Sequence, residues 1–272
     1  MSDFIILNGF DRCGSSAISK TISNHPDIEL IMQPFNSGFI RKSMYQAIEN
    51  SQNISNARSF FDKLKDNELD NDNIHSHWHK NHSSTQDYIP GKLHLVKTTI
   101  NHFAQRWMNQ NYPNIDVWGI WRDPYAIINS IKKNDFQEEW YADALEKLKP
   151  TVHEEKELYA KFGAFFKESL SPDQELALLF AVRSYFFFDH LPKDRLIIYE
   201  SFRKDANKAL AKFSNYYNLK KDDFNAFSKK DLNIIGNSFN PSDKNEISQE
   251  IKSSIAPILA PLIELYKNKF QP

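Results

Sequence analysis

Short apolar runs that end in polar or charged residues recur along the chain. Between them lie stretches in which apolar positions return every three or four residues. Phe4, Ile5, Ile6 and Leu7 form the first run, and after a loop from Gly9 to Ser16 the helical spacing of Ala17, Ile18 and Ile22 begins. Ile28, Leu30, Ile31 and Met32 predict a second strand ending at Gln33 and Pro34, and Leu93, Leu95 and Val96 a third ending at Lys97, Thr98 and Thr99. Val117 to Trp121 is the fourth, ending in Arg122, Asp123 and Pro124, where proline suits a first helical turn that Asp123 caps. Arg195 to Tyr199 is the fifth, closed by Glu200 and Ser201. Apolar strands alternating with helices predict an α/β fold, a parallel sheet flanked by helices, in a single domain over residues 1–272.

The remaining segments predict what covers this sheet. Ile40, Met44, Ala47 and Ile48 give the region from Phe39 to Leu64 a helical side, and residues 65–92, rich in Asp, Asn, His and Ser, read as a flexible loop or flap. Residues 135–191 are helical in character and form a cover, with the dense aromatic stretch Tyr185 to Phe188 as core packing. A helix starts around Ala206, residues 231–243 read as loop, and a last helix from Glu246 to Phe270 is interrupted at Pro257 and Pro261.

Charge narrows the functional class. A formal net charge of -1 argues against a nucleic-acid backbone or an anionic membrane as the main partner, and leaves room for a local cationic pocket. One cysteine rules out an internal disulfide framework, and no apolar run is long enough to span a membrane. The first strand begins almost at Met1 with no basic region ahead of an apolar core. The expectation is a cytoplasmic protein without stable membrane insertion.

Candidate chemistry collects at the strand ends, where open α/β sheets hold ligands. The first loop aims N–H groups and a helix N-terminus at one place, an arrangement suited to phosphate or sulfate; an ordinary glycine turn would look the same in sequence. Gly9 and Gly14 have P-loop spacing, but Ser15 and Ser16 stand where that motif has Lys and Ser or Thr, leaving Arg12 as the replacement cation. Cys13 lies in the same loop, and its position after rather than before the arginine makes it a small tolerated residue rather than a nucleophile. Arg122 and Ser130, eight residues apart, can hold one phosphate between them, or can be a strand-edge arginine paired with Asp and a surface serine. Gln33 is a pocket candidate by position. His75, His77, His79 and His82 surround Trp78 in the flap and can chelate a metal, contact substrate, act in proton transfer or simply be solvated; no cysteine accompanies them and the spacing is not that of a helical zinc site.

Three of these places together resemble the sulfotransferases that use 3'-phosphoadenosine 5'-phosphosulfate (PAPS). Arg12, Cys13, Gly14, Ser15, Ser16, with His25 and Pro26 a helix later, are similar to that family's first loop; the resemblance gives Arg12, Gly14, Ser15 and Ser16 the 5'-phosphosulfate, with Cys13 counted among the residues of the same cofactor-binding loop. Arg122, Asp123, Pro124 and Ser130 resemble its 3'-phosphate element, and Leu196 to Phe202 its late strand, whose glutamate supports the fold around the cofactor. The implied fold is a P-loop-like sulfotransferase fold. The implied reaction is sulfuryl transfer from PAPS to a hydroxyl or amine of a small-molecule, lipid or carbohydrate acceptor, with no metal, because a sulfuryl group needs less charge neutralisation than a phosphoryl group. Gln33 stands where many members have a glutamate, and Thr99 where cytosolic members have a histidine; glutamine takes no proton at neutral pH. Lys97 is then expected at the bridging oxygen or sulfuryl group, and His77 or His79, followed by Asp11, as the base. A bisphosphate-binding homologue without transferase chemistry and a degenerate P-loop kinase are the alternatives.

Overall fold

The computed structural model describes residues 4–32, 45–47, 54–65, 92–133, 141, 143–220, 223–234 and 247–271. Five parallel strands, β1 (Phe4–Asn8), β2 (Ile28–Met32), β3 (Leu93–Thr98), β4 (Asp116–Trp121) and β5 (Leu196–Ile198), stand in the order β2-β3-β1-β4-β5. The chain first places strands on one side of β1 and then on the other, so the switch lies at the carboxyl end of β1, where the first loop begins. β1 is buried throughout, as its unbroken apolar run requires of a central parallel strand.

Helices α1 (Ser15–Ser23), α2 (Ile54–Lys65), α3 (Gln105–Asn111) and α4 (Pro124–Lys132) connect the first four strands or flank them. His25 follows α1 as a buried structural residue: Asp27 N–H donates to its Nδ1, and its Nε2 lies 3.3 Å from the Lys220 carbonyl. The cover consists of α5 (Ala144–Glu154), α6 (Lys156–Phe162) and α7 (Pro172–His190). Ser171 and Gln174 start α7 with a reciprocal cap, and every residue from Leu176 to Phe188 is buried, so this helix is enclosed on all sides rather than amphipathic. Helices α8 (Tyr199–Lys204), α9 (Ala206–Tyr216), α10 (Phe224–Ile234) and α11 (Gln249–Phe270) complete the described chain. Tyr266 of α11, which packs along α7, stacks face to face on Trp121 of β4, with ring centroids 3.9 Å apart and planes 5° apart.

Three expectations are corrected here. Tyr199 begins a helix instead of ending the fifth strand, and α10 extends into the stretch read as loop from residue 231. Residues 257 and 261 do not interrupt α11: the two prolines are four apart on one side, and Pro257 and Ser253, whose carbonyl it strips of a donor, lie on the exposed face, open to solvent. No helix of the described residues is long and apolar enough to cross a membrane.

The cover is fastened to the sheet side by a fork: Arg106 Nη1 and Nη2 donate to Glu155 Oε2 and Oε1 at 2.8 and 2.6 Å, while the guanidinium lies 5.1 Å from the Phe186 ring centre. Both side chains are mostly buried, so Glu155→Ala is expected to lower unfolding free energy by about 1–2 kcal/mol, read from urea denaturation midpoints. No change in midpoint would place this pair among the ineffective surface ion pairs.

Candidate anion-binding site

The first loop is tight because it must turn from a buried strand into a buried helix within a few residues. Cys13 N–H donates to the Phe10 carbonyl at 3.1 Å, Arg12 takes a left-handed conformation at φ 65°, and Gly14 another at φ 92°. Gly14 is the N-cap of α1 without a side-chain cap, so no capping side chain occupies the N-terminus of the helix, where an anion could be received. A β-carbon at Gly14 would overlap the Tyr199 ring, which lies directly against it.

The structure joins the two elements that sequence had separated by more than a hundred residues. Arg12 Nε donates to Ser130 Oγ at 3.1 Å, and Arg122 Nη1 donates to the Arg12 carbonyl at 2.6 Å. Ser130 is delivered by α4, whose start is fixed by Pro124 and by Asp123 Oδ1 accepting from Ala126 N–H at 2.9 Å. The Arg122 guanidinium carbon stands 4.9 Å from the Tyr199 ring centre. Glu200 Oε1 accepts from Asp123 N–H at 2.9 Å, tying the end of β5 to the end of β4.

Two guanidinium groups this close repel one another. The pKa of Arg12 is pushed below its ordinary value, first by burial and then by Arg122, with Asp11 acting in the opposite direction. An anion placed between them would relieve that repulsion, by charge and by the fork geometry of arginine.

The other sequence candidates divide. Lys97, 3 % exposed at the end of β3, is brought to the first loop beside Asp11 and Cys13, and burial lowers its pKa. Ser15 is buried, and its N–H and hydroxyl lie against the Cys13 sulfur; Ser16 is less buried on the same first turn. Cys13 turns its side chain into the core against Gly9, and its backbone N–H is used by Phe10, so neither group of this residue faces the arginines. Gln33, His77 and His79 lie outside the described residues.

Burial drives the Cys13 thiol up to about 11, against a usual 9.0. In native protein at pH 8, iodoacetamide alkylation of Cys13 should be at least about a hundredfold slower than in urea-unfolded protein, because thiolate is scarcer and access is closed. Equal rates by mass spectrometry would mean that the loop opens readily and that its sulfur is not a core atom.

Sequence reading missed a second group around Phe10. Tyr141 OH donates to Asp11 Oδ2 at 2.9 Å, and burial followed by Asp11 pushes the phenol well above its ordinary pKa, keeping it a neutral donor. Phe10 lies 6.0 Å from the Tyr141 ring and 5.9 Å from the His102 ring, and under the Arg183 guanidinium. The signal for Arg183 was present in the sequence, as the one charge inside an otherwise apolar helix from Leu176 to Phe188.

No family model matches the chain, and no curated protein matches it in sequence. Its fold is similar to that of a sulfotransferase from Alicyclobacillus acidocaldarius, with a TM-score of 0.51 and 14% identity over 98% of this chain and 95% of that one. The fold is thus α/β with a five-stranded parallel sheet flanked by helices, in a sulfotransferase-like arrangement.

Proposed function

We propose that the protein transfers a sulfuryl group from PAPS to a hydroxyl or amine of an acceptor and releases adenosine 3',5'-bisphosphate. The observation that carries this reading is the convergence of Arg12, Ser130 and Arg122 at the N-terminus of α1. Arg122 and Ser130 take the 3'-phosphate, and Arg12 lies between them and the first turn of α1, where the 5'-phosphosulfate would be held by N–H groups, Gly14 and Ser16. Lys97 is the further cation beside this loop and would neutralise charge building up on the transferring group. The similarity in fold to a sulfotransferase supports the choice of sulfuryl over phosphoryl transfer, as does the missing P-loop lysine.

For the acceptor proton, Asp11 is the described carboxylate beside the loop: Tyr141 holds Oδ2, and Asp11 is only half-buried. Asp11→Asn, His77→Ala and His79→Ala identify the base by which of them slows transfer by about a hundredfold while sparing nucleotide affinity.

Calorimetric titration with adenosine 3',5'-bisphosphate, AMP, and ATP with and without Mg²⁺ tests the donor site. Micromolar, metal-independent binding of the bisphosphate with AMP much weaker is expected. Preference for ATP with Mg²⁺ would replace this reading by a degenerate P-loop kinase.

A further inference from the structure

Helix α7 carries a cation that the donor reading does not use. Arg183 is 0 % exposed. Its Nη2 donates to the Thr99 carbonyl at 2.9 Å and lies 3.1 Å from His102 Nδ1, and its guanidinium carbon stands 4.7 Å from the Phe10 ring centre. Nε and Nη1 have no hydrogen-bond partner, and no carboxylate of the described residues pairs with the group. A guanidinium does not shed its proton, so this is a permanent charge held in the interior with part of its donor set unused.

Other unused polar atoms lie in the same region: His102 Nε2, Asn101 Oδ1 and both amide atoms of the Asn8 side chain. Asn8 and Thr98 are register partners at the carboxyl ends of β1 and β3, the edge at which sheets of this kind receive ligands. Because an Arg183 N–H is directed at His102 Nδ1, the imidazole proton belongs on Nε2, which makes that atom a second donor without a partner. Burial and Arg183 hold His102 well below its ordinary pKa, so it adds a donor and no charge. Phe10, itself buried, packs against both Arg183 and His102, and the next residue, Asp11, is half-buried beside the arginine loop.

We propose that this buried polar group receives a carboxylate of the acceptor, so that the acceptor is a molecule bearing both a nucleophilic hydroxyl or amine and a carboxylate. The inference rests on the sulfuryl-transfer reading for the role of that molecule. One guanidinium and one neutral imidazole match a monoanion, whereas a phosphate dianion would leave charge unbalanced near Asp11.

The test is calorimetry on protein saturated with adenosine 3',5'-bisphosphate, using 4-hydroxybenzoate against 4-hydroxybenzamide and 3-hydroxybutyrate against its amide. Wild-type protein should bind at least one carboxylate tenfold or more tightly than its neutral amide. The preference should fall below about twofold in Arg183→Gln and survive in part in Arg183→Lys. Equal affinity for carboxylate and amide, no binding of either carboxylate at millimolar concentration, or an undiminished preference in folded Arg183→Gln overturns the proposal; the first two are read on wild type and need no variant to fold. Failure of the bisphosphate itself to bind would count against the donor site instead, and the carboxylate comparison is then read on protein without nucleotide.

Discussion

Alanine at Gly14 should destabilise the protein by about 3 kcal/mol and remove most of its affinity for adenosine 3',5'-bisphosphate. Two effects add. At φ 92° a β-carbon costs roughly 1–2 kcal/mol in the left-handed region. The new methyl group also overlaps the Tyr199 ring, and overpacking of this kind costs about 1–3 kcal/mol. Tyr199 has little room to yield, since Arg122 stands over its ring and Phe202 stacks against it. Displacing Tyr199 moves Arg122, and Arg122 braces the loop through the Arg12 carbonyl. Urea denaturation and titration would read the two losses separately. Pairing Gly14→Ala with Tyr199→Ala should recover less than the whole stability loss, because only the steric part is relieved. An unchanged denaturation midpoint in the single variant would show that the loop has another low-energy path from β1 to α1.

Arg122→Ala is expected to weaken bisphosphate binding by about 2 kcal/mol or more, roughly thirtyfold, with a far smaller effect on stability. The side chain offers a fork to the ligand and a brace to Arg12, whose left-handed backbone at φ 65° is an uncommon state for a residue with a β-carbon. Arg122→Lys keeps the charge and loses the fork, so it should recover only part of the affinity. Ser130→Ala removes a single neutral donor and should cost about 1 kcal/mol. Affinity unaltered in Arg122→Ala, measured at low and high salt, would remove Arg122 from the pocket assigned to it.

The parts of this site that could be read from sequence are those where a strand ends. A buried parallel strand is an apolar run, and the first polar residues after it are at the ligand edge of the sheet, so Arg12, Lys97 and Arg122 were visible from their positions alone. Their convergence was not: Arg12 and Ser130 meet only because β1 and β4 are neighbours, a pairing that no local pattern encodes. Cys13 and Ser15 were placed with the anion-binding residues because the loop was read as a string; its tight turn sends Cys13 to the core and brings Ser15 against it. Arg183 was hidden by its surroundings, since an aromatic helix reads as packing and one charge in it as a tolerated exception. Pro257 and Pro261 misled in the other direction: whether proline breaks a helix depends on whether water reaches the freed carbonyl, and that depends on the tertiary face.

The stack of Trp121 on Tyr266 has a consequence for the order in which the protein can become active. Trp121 immediately precedes Arg122 and packs edge-on against Phe188 of α7, so the strand that presents the arginine acquires the stacked half of its support from the last described helix. On a ribosome adding about 5–20 residues per second, the segment holding Tyr266 emerges roughly seven to thirty seconds after Trp121. During that interval the nascent chain has the first loop and both arginines but not the Tyr266 ring against Trp121, so the strand end that presents Arg122 reaches its full packing only when α11 docks on α7.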